Sequence, residues 1–143
     1  MANYYGTSRT NYFRVTDEDR YKELFEGLSG EDTVHDFTKV DESGTIWHGF
    51  GCYGSVEYYP PSDDEDDWMD PDFDYFVAEL QKILPENEAF IYCETGYEKL
   101  RYVAGNATIA TRNGCDYVSL TDQAISAARS LLNDNTFRTQ MEY

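Results

Sequence analysis

The stretch from Ser62 to Asp74 gathers Asp63, Asp64, Glu65, Asp66, Asp67, Asp70, Asp72 and Asp74 with no lysine or arginine among them. Carboxylates packed this densely repel one another, so the run is not a core element. It stays solvated, binds cations, or faces a positively charged partner. Calcium binding through an EF-hand type of loop needs a central glycine and a closing glutamate, and Asp63 to Asp74 has neither. Docking on a basic protein surface is the functional expectation. Carboxylates at phosphate-like spacing on a rigid scaffold can stand in for a nucleic-acid backbone: i and i+2 on a strand are about 6.6 Å apart, and i and i+4 on a helix about 5–6 Å. Helical geometry would align Asp63 with Asp67, Asp66 with Asp70 and Asp70 with Asp74, whereas extended chain would align Asp70, Asp72 and Asp74. Trp68 and Met69 lie inside the window and Tyr58 and Tyr59 just before it. Aromatic groups beside acids suit an interface, where they add buried area and stack on arginines; Trp68 and Met69 folding back as a staple for the next helix is the structural alternative.

Other residues capable of chemistry are few. His35 and His48 are the only histidines, and both fall on β-prone runs. His48 and Cys52 share a strand face by alternation, so a Cys–His pair stays open as a catalytic alternative. Gly49, Gly51 and Gly54 have the spacing of a dinucleotide fingerprint, but Ser55 to Pro61 follows as β-like chain ending in prolines, with no helix to receive a pyrophosphate. Cys52, Cys93 and Cys115 are too far apart for a zinc motif, and they are expected to be reduced and mostly buried in a cytoplasmic protein. No catalytic residue, metal or cofactor is expected.

The balance of 28 acidic against 11 basic residues gives a formal charge of −17, and taking away the eight acids of the window still leaves −9. The excess belongs to the whole surface. Such a field repels nucleic acid and anionic membranes and steers the chain towards basic proteins. A length of 143 residues fits a single domain, residues 1–143, and a 16% aromatic share speaks for a packed core. No leader-like or membrane-length apolar run is present, so a soluble, unexported chain is expected.

These groups need elements to position them. Residues 1–10 read as polar lead-in, followed by a β-prone Asn11 to Val15. Thr16 is expected to cap a helix whose core face is Tyr21, Leu24, Phe25 and Leu28. Thr33 to Val40 and Thr45 to Tyr53 form a hairpin around Asp41-Glu42-Ser43-Gly44. Asp70-Pro71 opens a second helix over 71–84, stopped by Pro85, with Asp72 and Asp74 near its positive end. Ala89 to Glu94, Glu98 to Ala104, Ala107 to Arg112 and Cys115 to Ser119 read as a four-stranded meander turning at Thr95-Gly96-Tyr97, Gly105-Asn106 and Asn113-Gly114. Ser119 caps a last helix with Ala124, Ile125, Ala128, Leu131 and Leu132 as its apolar face, after which Phe137 and Met141 are expected to dock the tail. The fold class is α+β, with an antiparallel sheet and about three packed helices.

Asn3-Tyr4-Tyr5-Gly6-Thr7-Ser8-Arg9, His48-Gly49-Phe50-Gly51 and Glu98-Lys99-Leu100-Arg101-Tyr102 resemble stretches of small uncharacterised proteins of Firmicutes phages and mobile elements. In size and acidity the chain is also similar to phage-encoded anti-CRISPR and anti-restriction proteins, many of which mimic DNA. The resemblance implies an inhibitor of a CRISPR effector or restriction enzyme. The residues alone leave open an acidic adaptor for another basic partner or a small enzyme.

Overall fold

The computed structural model describes residues 4–61 and 70–141. Its elements in chain order are β1 (Tyr5–Thr10), α1 (Glu18–Glu26), β2 (Leu28–Gly30), β3 (His35–Asp36), β4 (Lys39–Val40), β5 (Ile46–Trp47), β6 (Phe50–Tyr53), β7 (Val56–Tyr58), α2 (Phe73–Gln81), β8 (Ala89–Glu98), β9 (Tyr102–Thr111), β10 (Gly114–Ser119) and α3 (Leu120–Leu132). Six strands form one sheet in the order β10-β9-β8-β1-β6-β3, with every pair antiparallel. β2 pairs with β7 and β4 with β5 in two small ribbons. The class is α+β with a large antiparallel sheet, as the sequence implies.

One face of the sheet carries the core. Phe50 of β6 and Phe90 of β8 meet Phe13, Leu24 of α1, and Phe76 and Leu80 of α2, all fully buried. The rings meet edge-on, Phe13 to Phe90 at 5.2 Å and Phe50 to Phe76 at 5.8 Å between centroids, the arrangement favoured by the aromatic quadrupole. Every residue of this core lies between Phe13 and Ala110.

The helix starts shift by one or two residues for a visible reason. Thr16 donates both its backbone N–H and its hydroxyl to the Ile83 carbonyl, at 2.7 and 3.2 Å. Asp17 therefore caps α1, accepting from the Arg20 N–H. At α2 the cap is Asp72, which accepts from the Tyr75 N–H while its own N–H bonds the Tyr58 carbonyl at 2.7 Å. The helix ends at Gln81 instead of running to residue 84. Ile83 and Leu84 follow in tight i→i+3 turns before Pro85 and remain buried.

The meander has three long strands where four were expected. Gly96 and Gly105, read as turn residues, lie inside β8 and β9, and the reversal falls at Lys99, whose φ is 49°. These glycines mark close approach. Tyr4 covers the Gly6–Gly96 pair, leaving no room for a Cβ on either, and a Cβ on Gly105 would stand 3.1 Å from Cβ of Leu120. The polar lead-in is likewise the strand β1, between β6 and β8. The expected first hairpin is broken into β3–β6 and β4–β5, the latter closed by Asp41, whose carboxylate accepts from Ser43, Thr45 and the Trp47 indole. Those bonds hold the Asp41 carboxyl down at about 2, the indole bond contributing most.

Candidate partner-binding surface

Asp63, Asp64, Glu65, Asp66, Asp67 and Trp68 lie outside the described residues. Of the remaining expected contact residues, Asp70, Asp72 and Asp74 are all exposed. Asp72 caps α2 and Asp74 sits in its first turn, where both offset the helix dipole. Because α2 begins at Phe73, Asp70 precedes the helix, and the i, i+4 alignment of Asp70 with Asp74 is not made.

The acidic surface extends further than the window. On α1, Asp17, Glu18, Asp19, Glu23 and Glu26 are exposed, while Tyr21 and Leu24 of the same helix enter the core. Asp19, Glu23 and Glu26 follow one ridge at i, i+4 and i+7, with neighbours about 5–6 Å apart at Cβ. Arg20 ties this helix to the next, its guanidinium meeting Glu23 at 3.0 Å and Glu79 of α2 at 3.2 Å; Lys82 meets Glu79 at 2.9 Å. The Glu79 carboxyl is held below its ordinary value, first by the Lys82 hydrogen bond and then by Arg20. One layer of two helices thus presents mostly carboxylates outward, with Lys22 of α1 and Lys82 at the end of α2 among them, and hydrocarbon inward. The i, i+4, i+7 spacing of Asp19, Glu23 and Glu26 is visible in the sequence, but the expected contact residues do not include them.

The opposite face of the sheet differs. Strand alternation and register put Tyr5, Thr7 and Arg9 of β1 on it, beside Tyr53 of β6, Thr95 and Tyr97 of β8, and Val103 of β9. Asp116 is the one acid among the described strand residues of this face. Basic groups there rest on rings: Arg9 lies 5.8 Å from the Tyr12 centroid and 5.1 Å from that of Phe37, and the Lys39 ammonium lies 4.0 Å from Tyr12.

The Cys52–His48 pair of the catalytic alternative is not made. His48 is buried, with Nε2 2.6 Å from Glu18 Oε2, Nδ1 3.2 Å from the Thr38 hydroxyl, and the Tyr21 ring 4.0 Å away. Cys52 bonds instead to the Ser8 hydroxyl at 3.6 Å and the Gly54 carbonyl at 3.5 Å. Phe50 stands between them on the same side of the strand, and burial pushes the Cys52 thiol up, away from the reactive thiolate. His48 therefore joins α1 to the sheet, a contact thirty residues apart in sequence with no local signal. His35 is exposed and packs edge-on against Tyr53 at 6.4 Å. Cys93 and Cys115 are exposed, contrary to expectation, because Cys93 points to the uncovered face and Cys115 lies on the edge strand β10. Among the described residues no group of three His, Cys, Asp or Glu is placed to hold a metal ion, and no helix is long and apolar enough to cross a membrane. No protein-family model, no curated protein and no solved structure matches this chain.

Proposed function

We propose that the protein is a non-enzymatic inhibitor that occupies the nucleic-acid groove of a host defence complex, a CRISPR effector or a restriction enzyme, by acidic mimicry of DNA. The observation that supports this reading is the row of exposed acids on α1 and at the start of α2, within a surface acidic almost throughout. The exposed acids of α1 and of the start of α2 share one layer, braced by the Arg20 bridge to Glu79. In sequence, the run from Asp63 to Asp67 immediately precedes Asp70 and the start of α2. A Lys/Arg-lined groove would meet the carboxylates of α1 and of the start of α2 on helices that pack against the core, and fewer groups to order lower the cost of binding.

Capture of such complexes by the purified protein, repeated with rising salt and with competing duplex DNA, tests the reading. Expected is capture that falls with salt and is displaced by duplex, and that weakens when Asp63, Asp64, Asp66 and Asp67 are replaced together by Asn with the circular dichroism unchanged. Salt-sensitive capture that duplex does not displace identifies an acidic adaptor. Capture indifferent to the four substitutions rejects the surface.

A further inference from the structure

The residues after Ala110 contribute nothing to the core. Helix α3 has thirteen residues and none of them is buried, yet it is amphipathic. Leu120, Ala124, Ala127 and Leu131 recur at 4, 3 and 4 residue intervals, the spacing of a helix-packing seam, and all four are exposed, Leu131 at 90%. A helix of about 12–15 residues is marginal in water by itself and draws its stability from packing an apolar face. Thr121, Ile125, Ala128 and Arg129 of α3 are half-buried against its own chain, while the Leu120–Ala124–Ala127–Leu131 side is left open. Arg129 Nε donates to the Phe137 carbonyl at 2.9 Å and Phe137 is half-buried, but Met141 is exposed, so the tail does not cover the seam.

The seam runs into the uncovered sheet face at Leu120. There Tyr5, Tyr53, Tyr97, Leu100 and Val103 line, with Leu120, a shallow depression of about 850 Å³ whose one charged lining residue is Lys99. Leu100 is 90% exposed and Val103 67%. A chain of charge −17 approaches another such chain only where both lack carboxylates, and this depression has none. The same observation argues against a basic protein here, which would find no acid to pair with, and against nucleic acid, which the overall field repels. An apolar cover free of charge conflict is most simply a second copy of the chain, which brings the same acid-free face.

We propose that this face, from the Tyr5–Tyr97 pair through Val103 and Leu120 along the α3 seam, is a two-fold interface between copies of the protein. From Leu120 to Leu131 the seam spans about 17 Å at 1.5 Å per residue. By itself it falls short of the roughly 800 Å² per partner of a stable interface, so the sheet depression takes part as well. The two acidic helical layers then point outward, free for other contacts; the dimer does not depend on the DNA-mimic reading.

Sedimentation of the full-length protein over a wide concentration range tests this. The expected mass is twice 16.5 kDa, and association should strengthen as salt rises, because salt screens the repulsion and leaves the apolar contact intact. Leu131→Glu, at a position too exposed to disturb the monomer's fold, and Val103→Glu should each weaken the dimer by at least about tenfold, some 1.4 kcal/mol. Asp19→Asn should leave it unchanged. A wild-type monomer at all concentrations and salts overturns the proposal, as does a dimer that weakens with salt or that tolerates both glutamates.

Discussion

The two sides of the six-stranded sheet are made by the same strands and end in opposite surfaces. On one side α1 and α2 cover the phenylalanine core and turn a row of carboxylates to solvent; on the other, tyrosines and small residues stand uncovered with Asp116 as the strands' one described acid. Exposed acids lie on the helices and in the loops, Glu31, Asp32, Asp41, Glu42 and Glu86 among them, and it is the strands of the open face that are poor in them. The two sides should respond oppositely to salt, since an acidic surface loses attraction to a basic partner on screening while an apolar one between like-charged chains gains.

The sharpest way to break the comparison is to remove the core under one side. Phe50 is fully buried, with its ring against Phe25, Phe76 and Phe90. Phe50→Ala should cost about 3–5 kcal/mol, a large part of the roughly 5–15 kcal/mol that holds a domain of this kind. Leu131→Ala, measured under monomeric conditions, should stay within about 0.5 kcal/mol. Denaturant titration checks both. Equal losses would mean that α3 belongs to the same cooperative core.

Next in size is an alkaline limb tied to the sheet. Tyr92 is buried, its hydroxyl accepting from the Val56 N–H at 2.9 Å and donating to Glu94 at 3.3 Å. Burial is the main cause pushing its phenol up to about 12 from an ordinary 10. A raised value contributes stability that is complete below the unfolded value and is lost as pH climbs through the folded one, so stability should fall between pH 10 and 12. Tyr92→Phe should shallow that fall while costing about 1–3 kcal/mol at neutral pH for the buried Val56 N–H left unpaired. Unfolding curves at a series of alkaline pH values decide it; an equally steep fall in the variant would place the effect elsewhere, as on Tyr21, whose buried phenol is also pushed up.

How far this was legible in the sequence depended on whether the signal was local. The α+β class, the Asp41 turn and the Ser119 cap of α3 follow from spacing and side-chain chemistry within a few residues, and the structure has them. What failed was non-local. Gly96 and Gly105 read as turns because nothing nearby reveals that Tyr4 and Leu120 occupy the space of their side chains. Thr16 lost the cap to Asp17 because of Ile83, 67 residues away. Of the apolar face expected on α3, Ile125 and Ala128 are half-buried while Ala124, Leu131 and Leu132 are exposed, and periodicity cannot say which side is covered within the same chain.

A smaller effect probes the brace within the acidic layer. Glu79 is held below its ordinary 4.5 by Lys82 and then Arg20. The stability it lends is present above that ordinary value and disappears as pH falls through the lowered one. Arg20 and Lys82 are partly exposed, so the contribution is about 1 kcal/mol or less. Glu79→Gln should therefore trail the wild type slightly at neutral pH and match it in acid. A gap that persists at low pH would make the bridge a matter of packing.

The smallest change in stability should accompany the largest change in partner binding. Asp19, Glu23 and Glu26 are exposed on one ridge of α1, and like charges at i, i+4 cost a helix roughly 0.2–0.5 kcal/mol. Replacing all three by their amides removes that repulsion and also the Glu23–Arg20 pair at 3.0 Å. The two losses nearly offset, so the melting transition should barely move. Capture of a basic partner should nevertheless weaken and become less steeply dependent on salt, because fewer ion pairs form. Association through the sheet face should be unchanged or slightly tighter, the repulsion between copies having fallen. Weakened self-association in this variant would mean that the two sides are not independent, and that the acids of α1 help to position the open face.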